Sequence, residues 1–111
     1  MTAAMAKFTI HDLEQRVAER AQASPDVSYT RKLLDRGMAQ CAKKLGEEAV
    51  ELALASVTES RERLIEEAAD LLYHLLVVLK ARDIKLAEVE AVLGVRASQS
   101  GLDEKASRKG G

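Results

Sequence analysis

Tryptophan is absent, and one phenylalanine and two tyrosines hold the aromatic content of this 111-residue chain to 3%. Hydrophobic residues nevertheless make up 47%, so the core must be built from Leu, Val, Ile and Ala. Proline occurs once, and neither Gly nor Pro stands between Glu47 and Gly94. So long an unbroken run of good helix formers excludes a sheet protein and sets the class as all-α. The single cysteine, Cys41, excludes an internal disulfide and suits a reducing, cytoplasmic location. On an apolar stripe it reads as a core residue. Net charge is only −1, which gives no support to a nucleic-acid surface built on bulk positive charge. The longest apolar run, Leu75 to Leu79, is far too short to span a bilayer. No basic segment followed by a long apolar run opens the chain, so no secretory signal is expected.

What the chain does contain is a phrase written twice. Glu47-Glu48-Ala49-Val50-Glu51-Leu52 returns nineteen residues later as Glu66-Glu67-Ala68-Ala69-Asp70-Leu71. At about 100° per residue, Cys41, Leu45, Leu52 and Ala55 form one apolar stripe with Glu48 in its middle. Leu64, Leu71, Leu75 and Val78 form the second, with Glu67 in its middle. Glu51 and Asp70 fall on the stripe edges, one turn on, while Glu47 and Glu66 lie further toward solvent. An acid at a core position is costly unless something cationic pairs with it. The weak helical link Val57-Thr58-Glu59-Ser60 makes the two helices antiparallel neighbours. A fold about residue 59 sets Glu48 level with Asp70 and Glu51 level with Glu67. Four carboxylates then face one another across one helical turn.

Around this pair the rest of the chain reads as one domain, residues 9–97, with a flexible arm over 1–8 and a disordered polar tail over 98–111. Thr9 to Asp12 has the form of a capping box opening a helix with Ile10, Leu13, Val17 and Ala21 inward. His11, in its first turn, reads as solvated. Ser24-Pro25-Asp26-Val27 breaks that helix, Ser28 caps a short one over 29–36, and Gly37 ends or bends it. The acid-bearing helices run over 38–57 and about 60–81. After a turn at 82–85, a last helix over 86–96 turns Val89, Val92 and Leu93 inward. The helix over 60–81 has a second apolar stripe, Ile65, Ala69, Leu72, Leu76 and Leu79, roughly opposite its acids. Too few helices remain to cover it, which predicts a bundle of about five helices completed by homodimerisation.

Hard divalent cations take oxygen ligands, and Mg²⁺ commonly combines a few carboxylates with substrate phosphates. Glu48, Glu51, Glu67 and Asp70 fit Mg²⁺, with Mn²⁺ as an alternative. Lys44 projects from the same side and either touches a phosphate or offsets the acids. No P-loop or dinucleotide glycine pattern occurs, and no base accompanies Cys41 or the serines at a spacing that suits nucleophilic catalysis. A di-iron carboxylate bundle would need Glu-x-x-His, which is lacking; His74 follows Asp70 by four.

These motifs resemble the phosphoribosyl-ATP pyrophosphohydrolase family of the all-α NTP pyrophosphohydrolases. Glu48–Glu51 and Glu67–Asp70 match the superfamily signature. The narrower resemblance lies in Ser28-Tyr29-Thr30, Leu33-Leu34, Gly37, Lys44-Leu45-Gly46-Glu47-Glu48 and Glu67 to His74, with Val89, Leu93 and Arg96 in the closing helix. It covers about residues 8–97. It implies hydrolysis of 1-(5-phospho-β-D-ribosyl)-ATP to the AMP compound and pyrophosphate, the second step of histidine biosynthesis. It further implies a bound metal clamping the triphosphate and Lys44 stabilising phosphate charge. Water would attack the α-phosphorus, with the metal or a spare carboxylate, Glu47 or Glu66, assisting. Tyr29, Thr30 and Arg96 would help hold substrate, and Tyr73 and His74 read as packing or as support for Asp70. A house-cleaning enzyme for noncanonical nucleotides and a non-enzymatic helical dimerisation module remain as alternatives.

Overall fold

The computed structural model describes residues 7–99, which form five helices and, among these residues, no strand. The arm expected over 1–8 lies outside the described residues except for Lys7 and Phe8, and the tail except for Ser98 and Gln99. Helix α1 spans Ile10–Ala21, α2 Tyr29–Asp35, α3 Met38–Thr58, α4 Arg61–Ala81 and α5 Leu86–Ala97.

Each start has a local cause. At α1 the box is reciprocal: the Asp12 N–H donates to Thr9 Oγ1 at 3.1 Å, and the Thr9 N–H donates to Asp12 Oδ2 at 2.9 Å. Ser28, buried, accepts from the Arg31 N–H at 3.1 Å and donates to the Arg20 carbonyl at 2.8 Å. One hydroxyl thus caps α2 and ties it to the end of α1. Gly37 takes φ +97°, a conformation that L side chains rarely adopt, and so turns the chain from α2 into α3. Ser60 accepts from the Arg63 N–H at 3.2 Å and starts α4 after a link of only Glu59 and Ser60. That short link makes α3 and α4 an antiparallel pair, and this pair is the main helix–helix contact of the molecule.

The core of Val17, Leu33, Cys41, Leu76, Val77 and Leu86 lies toward the end of the hairpin away from that link. There α1 and α2 pack across the first turns of α3 and the last turns of α4. The acids therefore sit between a packed base and a linked end where Leu54 and Val57 are exposed.

Two sequence expectations require correction. Leu76 is 3% exposed and belongs to the core of the single chain, with Leu79 packed against it, so the second stripe of α4 is covered at that end. Only its other end, Ile65, Ala69 and Leu72, is left exposed. Nor does α5 turn its apolar face inward: Val92 and Leu93 are 48% and 57% exposed, and only Leu86 is buried. Among the described residues, only its first turns are held. The Leu86 N–H donates to Glu14 Oε2 at 2.6 Å, and Glu90 meets His11 at 2.9 Å. His11 is exposed, as expected, but it is paired.

Candidate metal centre

Glu48 on α3 and Glu67 on α4 point into the seam of the hairpin and are 9% and 4% exposed, while Asp70 lies at the open edge. One carboxylate oxygen from each of these three lies within 4.8 Å of the others. Oε1 of Glu48 and Oε1 of Glu67 are buried without a hydrogen-bond partner. Buried carboxylate oxygens are seldom left unpaired. Glu51 is exposed and does not join the tight group, yet its charge acts on both buried acids.

The electrostatics follow from that crowding. Burial pushes the Glu48 carboxyl above its ordinary range, Glu51 and Asp70 add repulsion, and Lys44 opposes them. Burial likewise raises Glu67, against the pull of Arg63, with Glu51, Asp70 and Glu48 adding to the rise. Carboxylate oxygens are hard donors, Glu48 and Glu67 each bury one without a partner, and negative charge there exceeds what the neighbouring cations offset. That donor set fits a hard divalent cation.

Lys44 is half-buried, with Nζ 3.5 Å from Glu47 and 3.9 Å from Glu48. Its pKa is raised, first by the neighbouring Tyr29 and then, against burial, by Glu47 and Glu48. Tyr29 itself is 52% exposed, and its ring stacks on Tyr73 with centroids 6.5 Å apart. His74 meets Tyr29 and Tyr73 edge-on at 6.4 and 5.0 Å. It is buried, its Nδ1 has no partner, and burial, then Lys44, lowers its pKa while Asp70 opposes.

The sequence-derived positions do not all converge. Thr30 is buried and shares a hydrogen bond with the Tyr73 hydroxyl, so it presents no surface to a ligand. Its position instead orients Tyr73. Arg96 lies on α5 in a groove with Ile84, Glu88, Val89, Val92 and Leu93, apart from the acid group. Glu47 and Glu66 are exposed, and each is engaged by a cation three residues before it, at 3.5 and 2.8 Å.

Sequence reasoning missed Arg63. Its guanidinium donates to Glu67 Oε2 and Glu66 Oε1 and lies 3.6 Å from Glu59. A signal was present, because the repeat reaches one turn further back than the acids. Lys44, Glu47, Glu48 and Glu51 correspond to Arg63, Glu66, Glu67 and Asp70 at the same nineteen-residue offset. Each buried acid thus carries a cation at i−4.

With this geometry established, comparison with known proteins gives a consistent result. The sequence model described as "Phosphoribosyl-ATP pyrophosphohydrolase" matches residues 10–97. The chain is 64% identical over 105 residues to a Bradyrhizobium diazoefficiens protein named "Phosphoribosyl-ATP pyrophosphatase 1", covering 95% of this chain and 99% of that protein. A Rhodopseudomonas palustris protein of the same name is 58% identical over 105 residues, covering 95% and 98%. A Nitrobacter winogradskyi "Phosphoribosyl-ATP pyrophosphatase" is 57% identical over 104 residues, covering 94% and 90%.

Proposed function

The chain belongs to the phosphoribosyl-ATP pyrophosphohydrolase family, and from that premise we propose that the seam between α3 and α4 is where its hydrolytic reaction takes place. The enzyme is a hydrolase that converts 1-(5-phospho-β-D-ribosyl)-ATP to 1-(5-phospho-β-D-ribosyl)-AMP and pyrophosphate, a step of histidine biosynthesis. The observation that carries the site is the pair of buried, unpartnered carboxylate oxygens on Glu48 and Glu67 set against Asp70.

Glu48, Glu67 and Asp70, with Glu51 at the rim, would hold Mg²⁺, with Mn²⁺ as a substitute. Such an ion, when bound, neutralises triphosphate charge and lowers the pKa of water. The chain's own groups do the rest. Lys44, tethered to Glu47 and Glu48, places an ammonium where a phosphate oxygen enters the site. Water attacks the α-phosphorus, the bond from that phosphorus to the bridging oxygen breaks, and pyrophosphate leaves in one piece. Glu47 or Glu66 accepts the proton of the attacking water, since both are exposed carboxylates beside the cluster. The exposed ring of Tyr29, next to Lys44, offers a flat face to the nucleotide. Thr30 supports that face through Tyr73.

This reading includes a homodimer, supported by the exposed apolar residues Ile65 and Leu72 on α4 and Val92 and Leu93 on α5. Arg96 would reach substrate only across that interface. No helix among the described residues is long and apolar enough to cross a membrane. The free cysteine in the core supports a cytoplasmic setting for this reading, since thiols stay reduced there.

Purified protein incubated with phosphoribosyl-ATP and Mg²⁺ tests this, with phosphorus NMR of the products. Pyrophosphate as the first product is expected, and it should disappear with EDTA. Orthophosphate as the sole early product would reject the proposed cut. Turnover only of noncanonical nucleotides would return the house-cleaning alternative, and no turnover of any nucleotide would return the dimerisation module.

A further inference from the structure

Arg63 stands on a carboxylate that the proposed metal also needs. Its Nη2 donates to Oε2 of Glu67, while Oε1 of the same carboxylate is buried without a partner. Glu67 is 4% exposed, whereas half of the Arg63 side chain is in solvent. The acid is therefore fixed by its surroundings, and the arginine is the partner free to move. Two other acids hold the guanidinium from outside, Glu66 at 2.8 Å and Glu59 at 3.6 Å. Losing Glu67 would leave it tethered at the rim.

The other half of the repeat differs in a way that matters. Lys44 Nζ is 3.9 Å from Glu48, beyond hydrogen-bond range, and sits nearer to Glu47. Only the α4 carboxylate is occupied by its cation. A divalent ion gathering Glu48, Glu67 and Asp70 would draw on the carboxylate that the guanidinium already holds, through its other oxygen, and repel the guanidinium at close range. Packing already sets the position of Glu67, so the arginine is not needed to aim it.

We propose that Arg63 is a built-in competitor for the divalent cation, a counter-ion that neutralises Glu67 until the ion displaces it to Glu66 and Glu59. It lowers the site's affinity for metal and holds the folded chain together when metal is scarce. The coupling is reciprocal: whatever Arg63 costs the ion, the ion costs the Arg63–Glu67 pair. This rests on the metal reading of the acid cluster proposed above.

Isothermal titration with Mn²⁺ alone, and thermal melts in EDTA and in Mn²⁺, test it without substrate or turnover. Arg63→Gln should bind Mn²⁺ more tightly than wild type by about fivefold or more, the low end of ordinary coupling between sites. Its melting temperature in EDTA should fall, because a buried carboxylate has lost the cation that pairs it, and the rise on adding Mn²⁺ should be larger than in wild type. Arg63→Lys, which keeps a charge but loses the fork, should lie between the two. Unchanged affinity in Arg63→Gln would reduce the pair to a surface contact and overturn the proposal. So would weaker binding, which would mean that Arg63 aims Glu67 for the ion. A wild type that binds no Mn²⁺ overturns the metal reading and this proposal together, and it does so before any variant is made.

Discussion

Glu48 is the residue at which folding and the proposed chemistry pull in opposite directions. Its carboxylate is buried in the α3–α4 seam, one oxygen has no partner, and the Lys44 ammonium is 3.9 Å away. Burial and like charge both oppose ionisation there, the more so with Glu51 and Asp70 alongside. A cation bound only by the folded state offsets that cost through linkage. Glu48→Gln should therefore abolish most activity and shrink the Mg²⁺-induced rise in melting temperature. In EDTA it should leave stability unchanged or raise it by about 1 kcal/mol, a typical gain from relieving a poor polar site. Paired melts beside a turnover assay check this, and clear destabilisation in EDTA with activity retained would show a structural acid instead. Glu48 and Glu67 were legible in the sequence because an acid in the middle of an apolar stripe breaks the helical period. Arg63 was legible only through the extended repeat, because a cation four residues before an acid is by itself ordinary on any solvated helix. The engagement of Thr30 was also hidden, since it depends on α2 docking against α4, which no local pattern specifies.

At the scale of elements, the α3–α4 hairpin sets everything else, and its register follows from its shortest link. Two antiparallel helices joined by Glu59 and Ser60 have little freedom to slip, so Glu48 meets Asp70 and Glu67 across the seam, although Glu51 stays outside the close group. This was readable from spacing alone, as were the caps at Thr9 and Ser28, which depend on residues three positions apart. The inward face expected for α5 was not borne out, for a physical reason. An amphipathic pattern says that one face is apolar but not which surface covers it, and among the described residues nothing beyond the first turns of α5 is covered. Between α2 and α3 the decisive residue is Gly37, at φ +97° and ψ 170°. An added Cβ would meet no neighbour there, so any cost is one of backbone conformation. Gly37→Ala should destabilise the protein by about 1–3 kcal/mol, the usual cost of forcing a side chain into such a region. Urea unfolding followed by circular dichroism measures it. An unchanged midpoint would mean that α2 and α3 meet through some other backbone path. The substitution should leave the metal affinity of the hairpin nearly intact, because α3 and α4 hold the acids without α2.

For the whole molecule, the question is what covers α4 beyond the core. Its apolar face changes role along its length. Leu76 is sealed by the packing of α1 and α2, whereas Leu72, one turn earlier, is 44% exposed and Ile65 55%. Leu72 and Ala69 line one groove with Phe8, Ile10 and Leu13, so α1 contributes to the same exposed surface. The outer face of α3 adds Val50, Leu54 and Val57, and the far end of α5 adds Val92, Leu93 and Val95. That is a large share of bare aliphatic surface for a chain of 111 residues, and small domains often complete a core by pairing. A homodimer that buries the α4 face makes a sharper claim than the sequence alone allowed, because Leu76 and Leu72 now separate. Leu76→Asp would place an unpaired charge inside the core of one chain and should abolish cooperative folding, whatever the state of association. Leu72→Asp should leave a folded chain with helical circular dichroism near wild type, yet shift the mass measured by light scattering from dimer to monomer at micromolar concentration. Since Arg96 lies apart from the acids within one chain, the monomer should also bind substrate more weakly while retaining its metal site. If wild type is already monomeric at that concentration, or if Leu72→Asp stays dimeric, the exposed half of α4 is not the interface. In the second case, α5 and the outer face of α3 are the apolar surfaces left to form it.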